Sequence, residues 1–291
     1  MSFCCLICVH NGEDYLLDQI ESILRQLDDD SFLFIHDWNS SDSSERIASS
    51  YCSLNSNVSF KKWNTAPGPC ESFLKSLSYI RDNYSFDYIF LSDQDDIWFP
   101  NRVSVYKKLM NKDYSLICSN AISFNNNHLS GIHTCVNPSL FFNLKHRSKL
   151  DYSIYFSNPI IGMTLCLSKE ILFYIKDINY KKIIMHDWFL CCLSFHYGKI
   201  FYIDQPTVYY RQHIDNYLGV TGNNLFKKFF LLPKYCKNLL VQEEYFYEYF
   251  NVRPPCLLKK ISIVLQSSFL TKYGMLTLIF LLIISRLIYF K

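Results

Sequence analysis

The sequence predicts an α/β fold, with a mostly parallel central sheet flanked by helices and a helical C-terminal tail. Three observations carry this reading. Short apolar runs alternate with amphipathic stretches through the first hundred residues, the pattern of buried parallel strands joined by crossover helices. Polar clusters at 10–12, 36–42 and 92–96 each follow such a run, and open α/β sheets bind ligands beyond the carboxyl ends of their strands. Beyond Asn223 the chain turns basic and aromatic, which marks a second segment. The expected division is therefore 1–220 for the α/β domain and 221–291 for the tail.

The elements follow in order. Phe3–Val9 is apolar throughout and reads as a buried strand that stops at His10-Asn11-Gly12. From Asp14 to Leu27, apolar residues at Leu16, Leu17, Ile20, Ile23, Leu24 and Leu27 keep helical spacing. Phe32–Ile35 is a second strand. A helix begins near Ser41 or Asp42, residues suited to an N-cap, and runs to about Tyr51. Val58–Lys61 is a third strand, and a helix over roughly Cys70 to Tyr84 carries Phe73, Leu74, Leu77 and Ile80 on one face. Tyr88–Leu91 is a fourth strand, ending in Ser92-Asp93-Gln94-Asp95-Asp96.

The second half is less regular. Asn120 to Leu150 is polar and basic and reads as loop and hairpin. Asn158 to Leu167 reads as a strand, Lys169–Ile175 as a helix and Phe189 to Phe195 as an apolar helix led in by Met185-His186-Asp187-Trp188. Ile200–Ile203 and Val208–Tyr210 read as two further strands.

Composition sets outer bounds. The chain has 291 residues and is 49% hydrophobic, ample for a large core. A net charge of +3 gives no global reason to expect nucleic acid as a partner. The 12 cysteines are scattered. Cys5 and Cys8 form one CxxC, but inside the first apolar run rather than at the start of a helix. Buried, reduced thiols are expected. The run Phe3–Val9 lacks a basic leader and is too short for a signal peptide, so a cytosolic domain is expected.

The chemistry concentrates at three acids. Asp93, Asp95 and Asp96 directly follow a strand. Carboxylates packed at a strand end repel one another unless a cation or donors offset the charge. A hard divalent ion, Mg²⁺ or Mn²⁺, suits one or two carboxylates completed by substrate phosphates. The alternative is acids decorating a helix N-terminus, where negative charge is favourable. A second acid, Asp187, stands between an apolar stretch and an apolar helix, and is either a general base or a helix cap. His186 either orients it or is packed. Arg211 and His213 follow the strand at Val208–Tyr210. Arg211 could hold a phosphate with its planar fork, or both could belong to a basic surface loop.

Five segments then resemble one family in the same order. Ser92-Asp93-Gln94-Asp95-Asp96-Ile97-Trp98-Phe99-Pro100 resembles the DxD segment of family 2 glycosyltransferases, in the form found in the rhamnosyltransferase-like branch that builds capsules and O-antigens. His10-Asn11-Gly12-Glu13-Asp14-Tyr15-Leu16 is similar to the opening YNGExYL motif, and Gly68-Pro69-Cys70-Glu71-Ser72-Phe73 to GPxxSF. Met185-His186-Asp187-Trp188 matches MHDW and Tyr210-Arg211-Gln212-His213 matches YRQH. The resemblance spans about residues 3 to 220.

The resemblance implies a GT-A fold and inverting, metal-dependent transfer of rhamnose or another hexose from a dTDP- or UDP-sugar. Asp93 would contact the donor's ribose or the metal shell, and Asp95 would coordinate Mg²⁺ or Mn²⁺ through the diphosphate. Asp37 would face the base, beside the donor loop His10, Asn11 and Gly12. His213 would reach the metal or diphosphate, and Asp187 would be the base. The family's SDDGSTD reads His36-Asp37-Trp38-Asn39-Ser40-Ser41-Asp42 here. Asn39 tolerates the positive φ of the missing glycine. Trp38 cannot accept a hydrogen bond from a base, so it either stacks on the base or impairs donor binding. That substitution supports the alternative of a weakened scaffold protein in a glycan assembly complex.

The tail carries an apolar run at Met275–Ile284 and basic pairs at Lys227-Lys228 and Lys259-Lys260. Such a pattern suits an anionic membrane surface. The expected setting is the cytoplasmic face of a bacterial inner membrane, with a glycan or lipid-linked glycan as acceptor.

Overall fold

The computed structural model describes residues 2–110, 112–125, 134–136, 152–156, 158–213, 225–256 and 260. The chain forms two units, the first made of 1–138, 160–178 and 185–221, the second of 139–159, 179–184 and 222–291. The second unit thus draws on two internal segments as well as the residues past the expected boundary at 220.

The first unit is built on a mixed sheet in the order β3-β2-β1-β4-β8-β6-β9-β5, with β7 paired to β6. Its parallel part is formed by β1 (Phe3–Val9), β2 (Phe32–Trp38), β3 (Val58–Trp63) and β4 (Tyr88–Ser92). β1 lies between β2 and β4, and both of its faces are buried, which is why its run is apolar without alternation. Helix α1 (Leu16–Leu24) buries Leu16, Gln19, Ile20 and Ile23; each large aliphatic side chain so buried contributes about 1.5–3 kcal/mol. Helices α2 (Ser44–Leu54) and α3 (Pro69–Asn83) complete the crossovers. Gly68, at φ 99°, turns the chain into α3, and Pro69 occupies the first helical position, where its missing N–H costs nothing.

Beyond β4 the strands mix. β5 (Ile97–Trp98) pairs antiparallel with β9 (Ile200–Gln212), and β6 (Leu116–Asn125) pairs parallel with β9 and antiparallel with β7 (Thr134–Val136) and β8 (Cys166–Ser168). Three readings from sequence change here. β9 runs through Asp204-Gln205-Pro206 as one strand, because the register shifts beside Asn120 and Pro206 sits opposite it, where a missing N–H is tolerated. The stretch expected as a strand from Asn158 to Leu167 contains a 3₁₀ turn at Gly162–Thr164 before β8. Helix α4 (Arg102–Met110) had no clear periodic signal. Helices α5 (Lys169–Leu172) and α6 (His186–Tyr197) follow; α6 is buried nearly all round, so its sequence is apolar rather than amphipathic.

In the second unit, α7 (Leu225–Tyr249) packs Phe246, Tyr247 and Phe250 against Tyr155. Gln242 Oε1 accepts the Ile184 N–H at 2.7 Å. Among the described residues no helix is long and apolar enough to cross a membrane; Lys259 and the run Met275–Ile284 lie outside those residues. Cys4, Cys5, Cys118 and Cys166 are buried in the first unit as free thiols.

Candidate active site

The parallel register places the ends of β1, β2 and β4 on one sheet edge, with Val9 beside Asp37 and Ile7 beside Ser92. The loops that leave this edge are stitched together. The His10 N–H donates to Gln94 Oε1 at 2.8 Å, and Gln94 Nε2 donates to the His10 carbonyl at 3.1 Å. His10 Nδ1 lies 2.9 Å from the Trp38 carbonyl. The N–H of Asn11 donates to Ser40 Oγ, that of Gly12 to Ser44 Oγ and that of Glu13 to Asp42 Oδ2, all within 2.9 Å. Asn11 and Asn39 take φ values of 50° and 59°, a conformation asparagine tolerates better than most residues. The turn therefore forms with Asn39 in place of glycine. A Cβ on Gly12 would stand 2.6 Å from Gln94 Oε1, so the Gln94 bridge itself requires glycine there.

Asp37 is fully buried. Its Oδ2 accepts the Ser40 N–H at 3.2 Å, while Oδ1 has no partner among the described residues. A buried carboxylate oxygen without a donor is costly.

The acid cluster sits between β4 and β5. Asp96 points inward, its Oδ1 accepting the Arg211 N–H at 3.0 Å. Asp95 Oδ2 lies 2.8 Å from His213 Nε2. Burial, then the charges of Asp95 and Asp187, push the Asp93 carboxyl up to about 8. Asp93 is therefore within electrostatic reach of both. Burial and its two acidic neighbours also hold Asp96 well above the usual carboxylate range. Tyr210, which the sequence did not single out, feels the same cluster: burial and then Asp96, Asp93 and Asp95 push its phenol up.

Asp187 is buried in the first turn of α6, and its Oδ1 accepts the Trp188 N–H at 2.7 Å. It thus contributes to the helix start while lying beside the acid cluster. His186 is packed: its ring stacks on Phe73 at 4.1 Å and 16°, and neither ring nitrogen has a hydrogen-bond partner among the described residues. Burial lowers its pKa to about 3, so it is neutral at physiological pH. A Cβ on Gly162 would meet His186 Nε2 at 3.0 Å and Asp187 Cβ at 3.5 Å.

Trp38 is 1% exposed and stacks on Trp63 at 4.4 Å and 5°. The first of the two roles considered for it, a platform for the base, does not fit a ring buried in the fold. Trp98 and Trp188 are likewise buried. Arg211 is buried too, and its guanidinium engages the Asp95 carbonyl and Asp18 rather than projecting from a surface loop.

The first unit therefore brings Asp93, Asp95, Asp187, Arg211 and His213 to one locality, and joins the His10–Gly12 loop to it through Gln94. Gln94, Tyr15 and Asp18 belong to this site and were not foreseen. Only the place of Gln94 between acids of the motif hinted at it. Among the described residues, no three His, Cys, Asp or Glu side chains group as ligands of one ion. Asp95 facing His213 in a strongly acidic surrounding fits a hard ion shared with a phosphate ligand, not an all-protein cage.

Residues 4–167 match the family model described as Glycosyl transferase family 2. The chain belongs to glycosyl transferase family 2. It is 32% identical over 227 residues to a dTDP-rhamnosyl transferase, RfbG, of Shigella flexneri, covering 73% of each chain. It is 25% identical over 252 residues to an uncharacterized glycosyltransferase of Rickettsia typhi, covering 82% of this chain and 72% of the other. Among solved structures, Staphylococcus aureus TarS bound to UDP-GlcNAc superposes with a TM-score of 0.57 at 13% identity, covering 97% and 89%. The mannosyltransferase PcManGT of Pyrobaculum calidifontis, solved with GDP-Man and Mn²⁺, gives 0.58 at 12%, covering 94% and 73%. The fold is thus that of the GT-A glycosyltransferases, and this family 2 member is a glycosyltransferase.

Proposed function

We propose that the protein transfers rhamnose from dTDP-rhamnose, with inversion, to a glycan or lipid-linked glycan precursor of a bacterial surface polysaccharide. One observation carries the mechanism: Asp187, from a distant stretch of the chain, acts with Asp95 on the Asp93 carboxyl at the edge where the His10–Gly12 loop emerges. The likeness to the Shigella flexneri rhamnosyl transferase supports the donor. Asp37 is fully buried, so in this reading it braces the nucleotide-side loop through the Ser40 N–H instead of touching the base. Asp93 meets the ribose, and the backbone around His10–Gly12 borders the nucleotide.

Asp187 takes the proton of the acceptor hydroxyl as its oxygen attacks the anomeric carbon. The bond from that carbon to the diphosphate breaks, and the nucleoside diphosphate leaves with the electron pair. Helix α6 begins at His186, and its N-terminal dipole favours the ionised carboxylate before the reaction. Asp95, with His213, would hold Mg²⁺ or Mn²⁺, which supplies positive charge against the departing diphosphate. The scaffold alternative drew on Trp38, whose packing against Trp63 gives it a structural role instead.

The work site in this reading is the cytoplasmic face of the inner membrane, where the basic tail and a lipid-linked acceptor would meet. Thermal shifts with dTDP, UDP and GDP, each with and without Mn²⁺, test the donor through linkage. Stabilisation by dTDP with Mn²⁺ and turnover of dTDP-rhamnose are expected. Preference for another nucleotide would discard the donor, and absence of any nucleotide-sugar turnover would discard the transfer.

A further inference from the structure

We infer that Arg211 is a positioning residue for the acid loop, locked in place by Tyr15 and Asp18 of the first helix region, and not a phosphate ligand. The inference rests on the metal-dependent transfer proposed above. Five contacts of Arg211 tie it to the acid loop or to what braces that loop. Its backbone N–H donates to Asp96 Oδ1 at 3.0 Å, and its Nε donates to the Asp95 carbonyl at 2.7 Å. Its terminal nitrogen donates to Asp18 Oδ2 at 3.2 Å. The guanidinium lies over Tyr15 at 4.9 Å and Phe124 at 4.8 Å. Tyr15 in turn packs against the His213 ring at 4.9 Å.

Each contact has a physical consequence. The bond to the Asp95 carbonyl and the bond to Asp96 fix two successive residues of the loop, leaving the Asp95 side chain aimed at His213. The fork is what allows Nε and a terminal nitrogen to reach the loop and the helix at once; a lysine ammonium has no such geometry. The two aromatic rings hold the cation without neutralising it. Asp18 is the outer brace. Its side chain is 56% exposed against 9% for Arg211, so the pair contributes little to stability. Removing the Asp18 charge should therefore leave the fold intact while loosening the fork.

The test uses the full chain with Asp18→Asn, Arg211→Lys and the double variant, and reads Mn²⁺ binding directly by the loss of the free-ion electron spin resonance signal in the presence of dTDP. Groups that orient a metal ligand from behind carry about 10- to 100-fold in affinity. Arg211→Lys should weaken Mn²⁺ binding by about tenfold and Asp18→Asn by a smaller factor in the same direction, with the double variant no worse than Arg211→Lys alone, since both act through one fork. Binding of dTDP without metal should be unchanged in all three. A direct phosphate ligand would instead lower metal-free dTDP binding in Arg211→Lys and leave Asp18→Asn like wild type, and that result overturns the inference. Unfolding of Arg211→Lys in circular dichroism leaves Asp18→Asn to decide alone: wild-type Mn²⁺ affinity in that variant also overturns it. Failure of the wild-type protein to bind Mn²⁺ with dTDP would instead sink the underlying metal-dependent reading.

Discussion

Metal-free protein should lose stability relative to Asp93→Asn as pH rises from 6.5 to 8. The folded-state pKa of Asp93 is raised to about 8, above its value in the unfolded chain. The native state therefore holds a proton that the unfolded state has released, and stability falls with rising pH until the folded carboxyl ionises. Three histidines act in the opposite sense over the same window. Burial lowers His36 and His186 to about 3 and His196 to about 4. Their unfolded imidazoles finish deprotonating above the ordinary value of 6.5, in both proteins alike, so the comparison with Asp93→Asn cancels them. Each pH unit is then worth about 1.4 kcal/mol, so 1.5 units give at most ~2 kcal/mol. Asp93 keeps a partly exposed rim, and solvent trims this to ~1–2 kcal/mol. At about 2–4 °C per kcal/mol for a domain of this size, the expected fall in Tm relative to Asp93→Asn is ~2–8 °C. The assay is thermal unfolding in EDTA without nucleotide, for wild type and Asp93→Asn in parallel. The buried thiols also titrate in the unfolded chain, but they do so in both proteins, so the difference isolates Asp93. Equal slopes in the two proteins would refute the argument.

Three further outcomes are expected. Asp187→Asn should lower kcat by about 10²-fold or more, the contribution of a general base, while nucleotide binding stays near wild type; initial rates with saturating donor check it. Asp95→Ala should abolish the stimulation of turnover by Mn²⁺, and full wild-type activity in EDTA would contradict the metal's part. Gly162→Ala should cost about 1–3 kcal/mol by overpacking and lower kcat, because the new methyl presses on His186 Nε2 and reaches Asp187 Cβ; chemical denaturation together with turnover reads both effects.

The first hundred residues were legible because their physics is local. β1 is apolar on both faces, and α1 and α3 repeat their apolar residues at helical spacing. Parallel strands then force the polar clusters to one edge, so the approximate site is legible in the sequence. β9 was misread as two strands because Pro206 looks like a breaker, and only the shifted register beside Asn120 explains its tolerance. α4 was missed because its buried residues, Arg102, Val103, Tyr106 and Met110, include a cation that the pattern treats as polar. Arg102 is held inside by Thr207, the Met163 carbonyl and the faces of Trp98, Tyr106 and Phe90. The role of Asp18 is invisible in the sequence, and that of Gln94 only hinted at by its place between acids, because each acts on a partner far away in sequence.

The Gln94 amide gives the site one more property. It completes a two-bond rung with the His10 backbone, much as a neighbouring strand would. The nucleotide-side loop and the acid loop are thereby tied to each other. Neither can swing aside to admit a ligand without dragging the other or breaking both bonds. Any change at residue 94 is felt at residue 12, where the space for its amide is kept clear, so a redesign of this edge has to treat Gly12 and Gln94 as one unit.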